Sequence, residues 1–175
     1  MTLDPIASLN AKSEELGWQT RWSVATRFEH AELNRLLTLW HEKAARTFPS
    51  RTDFSLRQLK AVLPDIAIIE RVTTNDGPRY RVRLLGTALA QSFGEQTGKY
   101  FDEFVPPDQM SLWTGGYGLI LETAQPIRIV TKFSLPQVDY LYGEVLSAPL
   151  AGSDGVPNMI LSATYTSADP IDFDS

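Results

Sequence analysis

The chain has 175 residues, 43% of them hydrophobic and 10% aromatic, with 16 basic against 21 acidic side chains and no cysteine. This length supports one hydrophobic core and leaves little chain for a second globular domain. The lack of cysteine excludes disulfides, thiolate metal sites, iron–sulfur clusters and cysteine nucleophiles, and a net charge of −5 disfavours a nonspecific nucleic-acid surface, which needs clustered Lys and Arg.

No apolar run approaches the length of about 20 residues that spans a bilayer, and the N-terminus lacks the basic start and apolar block of a secretory signal. A cytoplasmic protein without a membrane span is expected. Asp4-Pro5 supplies a helix-start signal and Gly17 an ending, so Pro5 to Leu16 reads either as a short helix around Ile6 and Leu9 or as a mobile tail. Trp18, Trp22 and Val24 suggest that part of this extension, residues 1–27, docks.

From Phe28 to Arg46, Leu33, Leu36, Leu37, Trp40 and Ala44 recur at three and four residues and predict an amphipathic helix. Phe48-Pro49 ends it, and Asp53 or Ser55 can cap a shorter helix leading to Leu63-Pro64. Ile66 to Val72 reads as a strand, Asn75-Asp76-Gly77 as a hairpin turn, and Arg79 to Leu85 as the returning strand. Gly86-Thr87 then opens a helical segment, and Gly94 with Gly98 brackets a short helical piece.

Between Asp108 and Ala124, Met110, Trp113, Tyr117 and Leu121 share a helical face, although Gly115, Gly116 and Gly118 each weaken helix propensity by about 1 kcal/mol relative to Ala. Close approach of another backbone or a ligand would explain these glycines, and so would a distorted helix. Strands are expected over Ile127 to Ser134, Tyr140 to Leu150 and Asn158 to Thr166, with Pro136 in the first connection and Gly152 to Gly155 in the last.

The stretch from Arg79 to Phe104 resembles the bacterial single-domain PAS family. The resemblance rests on Arg83-x-x-Gly86-Thr87, on Gly94-x-x-x-Gly98 with Thr97 before its last glycine, and on the acidic-aromatic Phe101 to Phe104. It implies an α+β fold, a five-stranded antiparallel sheet with helices on one face, formed by residues 28–168 between the N-terminal extension and a tail of residues 169–175. The segregation of strands from helices argues independently for α+β rather than a parallel sheet.

Tyr80, Val82, Leu84, Trp113, Tyr117, Ile129, Thr131, Tyr142 and Leu161 are the candidate lining of an apolar ligand pocket, and a filled core is the alternative. Ile127, Ile129, Thr131 and Phe133 share one strand face, as do Met159, Leu161, Ala163 and Tyr165 on the last strand. Arg81 and Arg83 lie opposite Tyr80, Val82 and Leu84, either exposed and paired with carboxylates or, for Arg83, turned inward to hold a ligand carboxylate.

His30 and His41 are about 16 Å apart along one helix, which rules out a shared metal, and they read as surface side chains. The resemblance implies that a haem ligand would come from the helical region between the second and third strands, where there is no histidine; the cofactor is unknown. Without cysteine, the cysteinyl-flavin photochemistry of one PAS subgroup is excluded. Asp102, Glu103 and Asp108 form no spaced acid–base pair, and no nucleophile elbow, phosphate loop or zinc-protease motif occurs.

The resemblance implies a non-enzymatic sensor or adaptor that binds a small molecule or a signalling protein and works through a homodimer or a shift of its early helix. An enzyme using Asp102, Glu103 or Tyr117 near Arg83, and a ligand-free oligomerisation module, are the alternatives.

Overall fold

The computed structural model describes residues 4–135 and 138–172, with side chains except those of 134, 135 and 138–140. The expected turn residue Pro136 and the side chain of Tyr140 fall outside the described residues. In chain order the elements are α1 (Pro5–Glu15), β1 (Thr20–Val24), α2 (Ala31–Ala44), α3 (Leu56–Leu59), β2 (Ile66–Thr74), β3 (Gly77–Leu85), α4 (Thr87–Phe93), α5 (Met110–Thr123), β4 (Ile127–Leu135), β5 (Val138–Ala151) and β6 (Pro157–Ser167). Among the described residues these strands form one antiparallel sheet in the order β1-β4-β5-β6-β2-β3.

The α+β class and the antiparallel sheet agree with the sequence reading, and two details correct it. The sheet has six strands rather than five, because the extension contributes β1 at the β4 edge. Helices cover both faces rather than one. Side-chain alternation divides the interior: Ala67, Ile69, Val145 and Ile160 face α5, whereas Ile66, Ile68, Leu146, Ala148, Leu150, Leu161 and Ala163 face α2.

The extension folds because its polar groups find partners. Asp4 caps α1 by accepting from the Ile6 amide at 3.1 Å, with Pro5 in the first turn. Edge strand β1 presents backbone groups on its outer side that no neighbouring strand bonds, a template for unwanted pairing. The Asn10 amide bridges the Trp22 carbonyl at 2.8 Å and the Trp22 N–H at 2.9 Å, and the one Ser13 hydroxyl proton is shared between the Trp18 and Thr20 carbonyls, 2.9 and 2.6 Å from Oγ. Helix α1 therefore supplies in side chains part of what a further strand would supply in backbone.

This docking accounts for two glycines of α5. A Cβ at Gly115 would lie 3.3 Å from Leu9, and one at Gly116 would lie 3.1 Å from Trp22 Nε1. The glycines admit α1 and β1 to the helix surface, so neither a ligand nor helix distortion is needed to explain that pair. The opposite sheet edge is closed by the chain after α4: Val82 N–H donates to the Lys99 carbonyl at 2.9 Å and Gly98 N–H to the Val82 carbonyl at 2.7 Å. Gly94 and Gly98 both have positive φ and enclose a turn, not the short helical piece expected there.

Gly86 is required by close approach. Its N–H donates to the Ile66 carbonyl at 2.7 Å, and a Cβ would overlap the Leu63 and Pro64 carbonyl oxygens. Backbone cannot yield as a side chain does, so Gly86→Ala is expected to destabilise the fold by about 1–3 kcal/mol or more, the range for overpacking. Urea unfolding checks this; an unchanged midpoint would contradict the contact.

Candidate functional site

The inner layer brings together most of the residues proposed from the sequence. Tyr80, Val82, Tyr117 and Ile129 lie in one buried cluster, with Trp113 packed against it. The Tyr117 ring centre is 5.3 Å from Tyr80 and from Phe101, and 5.9 Å from Trp113. These separations are those of rings in contact. Phe101 and Phe104, absent from the sequence-derived set, complete the aromatic packing at 5.1 Å. Thr131 faces the same side, its hydroxyl 2.6 Å from Thr20 Oγ1.

Leu84 and Leu161 belong instead to the α2 side. The ladder steps from Ile68↔Leu84 to Ile69↔Val82, leaving Arg83 as an extra residue in β3. That bulge resets the two-residue alternation, so Val82 and Leu84 point to opposite faces. In β6 both faces are apolar, and Ile160 rather than Leu161 is the inward residue; Met159 and Tyr165 likewise pack on the α2 side. Tyr142 shares the Leu146 face by alternation, with the Lys132 ammonium 5.8 Å from its ring centre.

Arg83 is exposed and 3.5 Å from Glu70, and Arg81 pairs with the same carboxylate at 2.8 Å. The arginines thus answer a carboxylate on the neighbouring strand β2. Thr87 begins α4 after Gly86, and Thr97 N–H donates to Glu95 Oε1 at 2.8 Å in the Gly94–Gly98 turn. Asp102 is held by Arg79 at 2.7 Å, a contact that lowers its pKa below the ordinary carboxylate value, and Glu103 accepts from the Tyr100 amide at 2.6 Å. These carboxylates are committed to local contacts, while Tyr117 is buried and its phenol pushed well up, first by burial and then by Tyr80.

Two surface depressions flank these layers. One of about 400 Å³ lies between α1 and β1, lined by Asn10, Arg21, Trp22, Val24, Arg27 and Arg128 among others. The other, of about 370 Å³, runs along α2 from Asn34 to Glu42. Neither is lined by Tyr80, Trp113 or Tyr117. Among the described residues there is no cluster of three metal-binding side chains, and no helix is long and apolar enough to cross a membrane.

The outer layer carries the α2 stripe read from the sequence, together with polar contacts that the reading missed. Leu33, Leu36, Leu37 and Trp40 of α2 bury against Leu146, Ala148, Leu150 and Leu161. At the start of α2, His30 is the N-cap, its Nδ1 accepting from Glu32 N–H at 3.3 Å and its ring stacked on Tyr165 at 3.5 Å. It is half-buried and structural rather than an ordinary surface histidine, whereas His41 is exposed. Beneath the helix start, Arg128 and Glu144, each 3% exposed, form a buried ion pair at 2.8 Å. The signal was one basic and one acidic residue interrupting adjacent apolar strands, which also fits an open sheet face.

Burial, then Asp65 and Glu32, push the Tyr165 phenol up from 10.0 to about 12. The unfolded chain then loses this proton first, so the stability it confers is whole below about pH 10 and declines as pH rises towards 12. A spectrophotometric titration should show a late tyrosinate step that Tyr165→Phe removes. Loss of an early step instead would contradict the stacked, enclosed ring.

The sequence model of the family described as PAS domain matches residues 28–164, and the chain belongs to that family. None of the curated proteins matches the sequence. Among solved structures, an RNA-binding light-oxygen-voltage receptor is 10% identical with a TM-score of 0.46, covering 85% of this chain but 38% of its own. A Rhodobacter sphaeroides LOV protein is 12% identical with a TM-score of 0.45, covering 66% of this chain and 69% of its own. VqmA bound to DPO is 13% identical with a TM-score of 0.48, covering 66% and 60%. At these values the likenesses carry no functional argument.

Proposed function

We propose that the chain is a non-enzymatic sensory adaptor of bacterial signal transduction, cytoplasmic, that signals to a protein partner or a second copy through the α2 layer on its sheet. The observation behind this reading is the second core. Leu33, Leu36, Leu37 and Trp40 cover a sheet face carrying Leu146, Ala148, Leu150, Leu161 and Ala163. Release of α2 would offer a continuous apolar surface of the kind that drives association. A double substitution, Leu33→Ala with Leu37→Ala, weakens that cover while leaving the inner layer intact. Sedimentation should then show concentration-dependent dimers with the strand circular-dichroism signal retained. A folded variant that stays monomeric at every concentration counts against the reading.

A small ligand is the second reading: Tyr80, Val82, Trp113, Tyr117 and Ile129 share one face, packed ring against ring, and a ligand there would have to part those contacts. Native mass spectrometry before and after denaturation separates the two. A stoichiometric molecule released on unfolding favours the ligand; the bare polypeptide mass favours signalling through α2.

A further inference from the structure

The Arg128–Glu144 pair is where the start of α2 and the C-terminal segment meet. Glu144 Oε2 accepts from the Glu29 amide at 2.9 Å and Oε1 from the His30 amide at 3.0 Å, so the entry to α2 is bonded to β5. Arg128 donates to Glu144 Oε2 from Nε at 3.0 Å and from Nη2 at 2.8 Å. The same Nη2 donates to the Asp172 carbonyl at 3.1 Å, and the Asp172 N–H donates to Glu29 Oε1 at 3.2 Å. Ile171, 8% exposed, anchors that segment. A buried charge pair costs desolvation that only a full set of hydrogen bonds offsets. Here bonds of that set come from β4, β5, the α2 entry and the C-terminal segment together.

We propose that Ile171 and Asp172 form a clasp that regulates α2: seated, Ile171 is buried and Asp172 bonds Arg128 and Glu29, which holds the helix start on the sheet; displaced, they free it. This rests on the reading of α2 as the signalling layer and adds what controls it. Burial of Leu36, Leu37 and Trp40 holds the body of the helix, and the clasp holds its entry, where Leu33 begins the apolar stripe. The clasp acts on the first turn, through directional contacts that one residue's movement breaks. Anything that pulls the segment beyond Ser167 would be felt at Glu29 and His30, which are 143 residues from Asp172 or nearly so along the chain.

The test uses the full chain carrying Asp172→Pro, which removes the donor to Glu29, and separately Ile171→Lys, which expels the anchor. Amide hydrogen exchange is followed residue by residue. The expected result in both is exchange at Glu29, His30, Leu33 and Asn34 faster by about tenfold or more, with α5 within about twofold of the parent chain. Unchanged exchange at the α2 start would overturn the clasp, and so would an equal rise in α5, which reports only lower global stability. Sedimentation of the same variants separates the clasp from the function it serves. Faster α2 exchange with new dimers supports both; faster exchange in a chain that stays monomeric supports the clasp and overturns the outer face as a self-association surface.

Discussion

Glu144→Ala is expected to lower the free energy of unfolding by about 3–5 kcal/mol, because it leaves the Arg128 guanidinium buried without its carboxylate. The pair is 3% exposed on each side, and Glu144 also accepts the Glu29 and His30 amides. A double replacement, Arg128→Met with Glu144→Leu, removes both charges at similar volume and, for an ion pair alone, would be close to neutral. Here the double variant should still lose about 1–3 kcal/mol for each α2-entry amide left without a buried acceptor. Urea denaturation of the single and double variants provides the comparison. A neutral double variant would show that the pair serves only itself; a single variant losing under about 1 kcal/mol would deny that the charge is enclosed.

Trp40→Ala should cost a similar amount, about 3–5 kcal/mol, by opening a cavity between α2 and the sheet. Trp40 is 5% exposed, and its Nε1 donates to the Pro149 carbonyl at 2.9 Å. Trp40→Phe keeps most of the ring volume and removes the donor, so its expected loss is nearer about 1–3 kcal/mol. The difference between the two apportions packing and hydrogen bonding. Equal losses would mean that the indole N–H, not the packed ring, holds the helix to β5. Thermal or urea unfolding followed by circular dichroism reads both.

The elements themselves were legible because their signals are local. The stripe of α2 follows a helical period, Asn75-Asp76-Gly77 marks a hairpin, and Gly152 to Gly155 mark the connection before β6. The pairing of faces was less legible. A single extra residue at Arg83 reverses the side on which Leu84 lies, and no composition around it distinguishes a bulged from a regular strand. In β6 the run Met159-Ile160-Leu161 is apolar on both faces because both are covered, so alternation names no inward set. The glycines of α5 were visible as an anomaly, but the cause of two of them, Gly115 and Gly116, is Leu9 and Trp22, about a hundred residues away in sequence.

By itself, the sequence determined the α+β class, the positions of α2, β2, β3 and α5, the PAS motif around Gly86 and Gly98, and the exclusion of thiol chemistry. The elements and the exclusion rest on periodicity, turn residues and composition, which neighbouring residues carry, and the PAS motif rests on a resemblance. Only the tertiary structure decided that a second core lies beneath α2, that residues before Phe28 complete the sheet, and that Arg128 and Glu144 are buried together with the entry to α2 and Asp172. Each of these depends on which segment covers which face. Whether a charged strand residue is solvated or enclosed is set by a helix far away in sequence, and a local pattern holds no information about that cover.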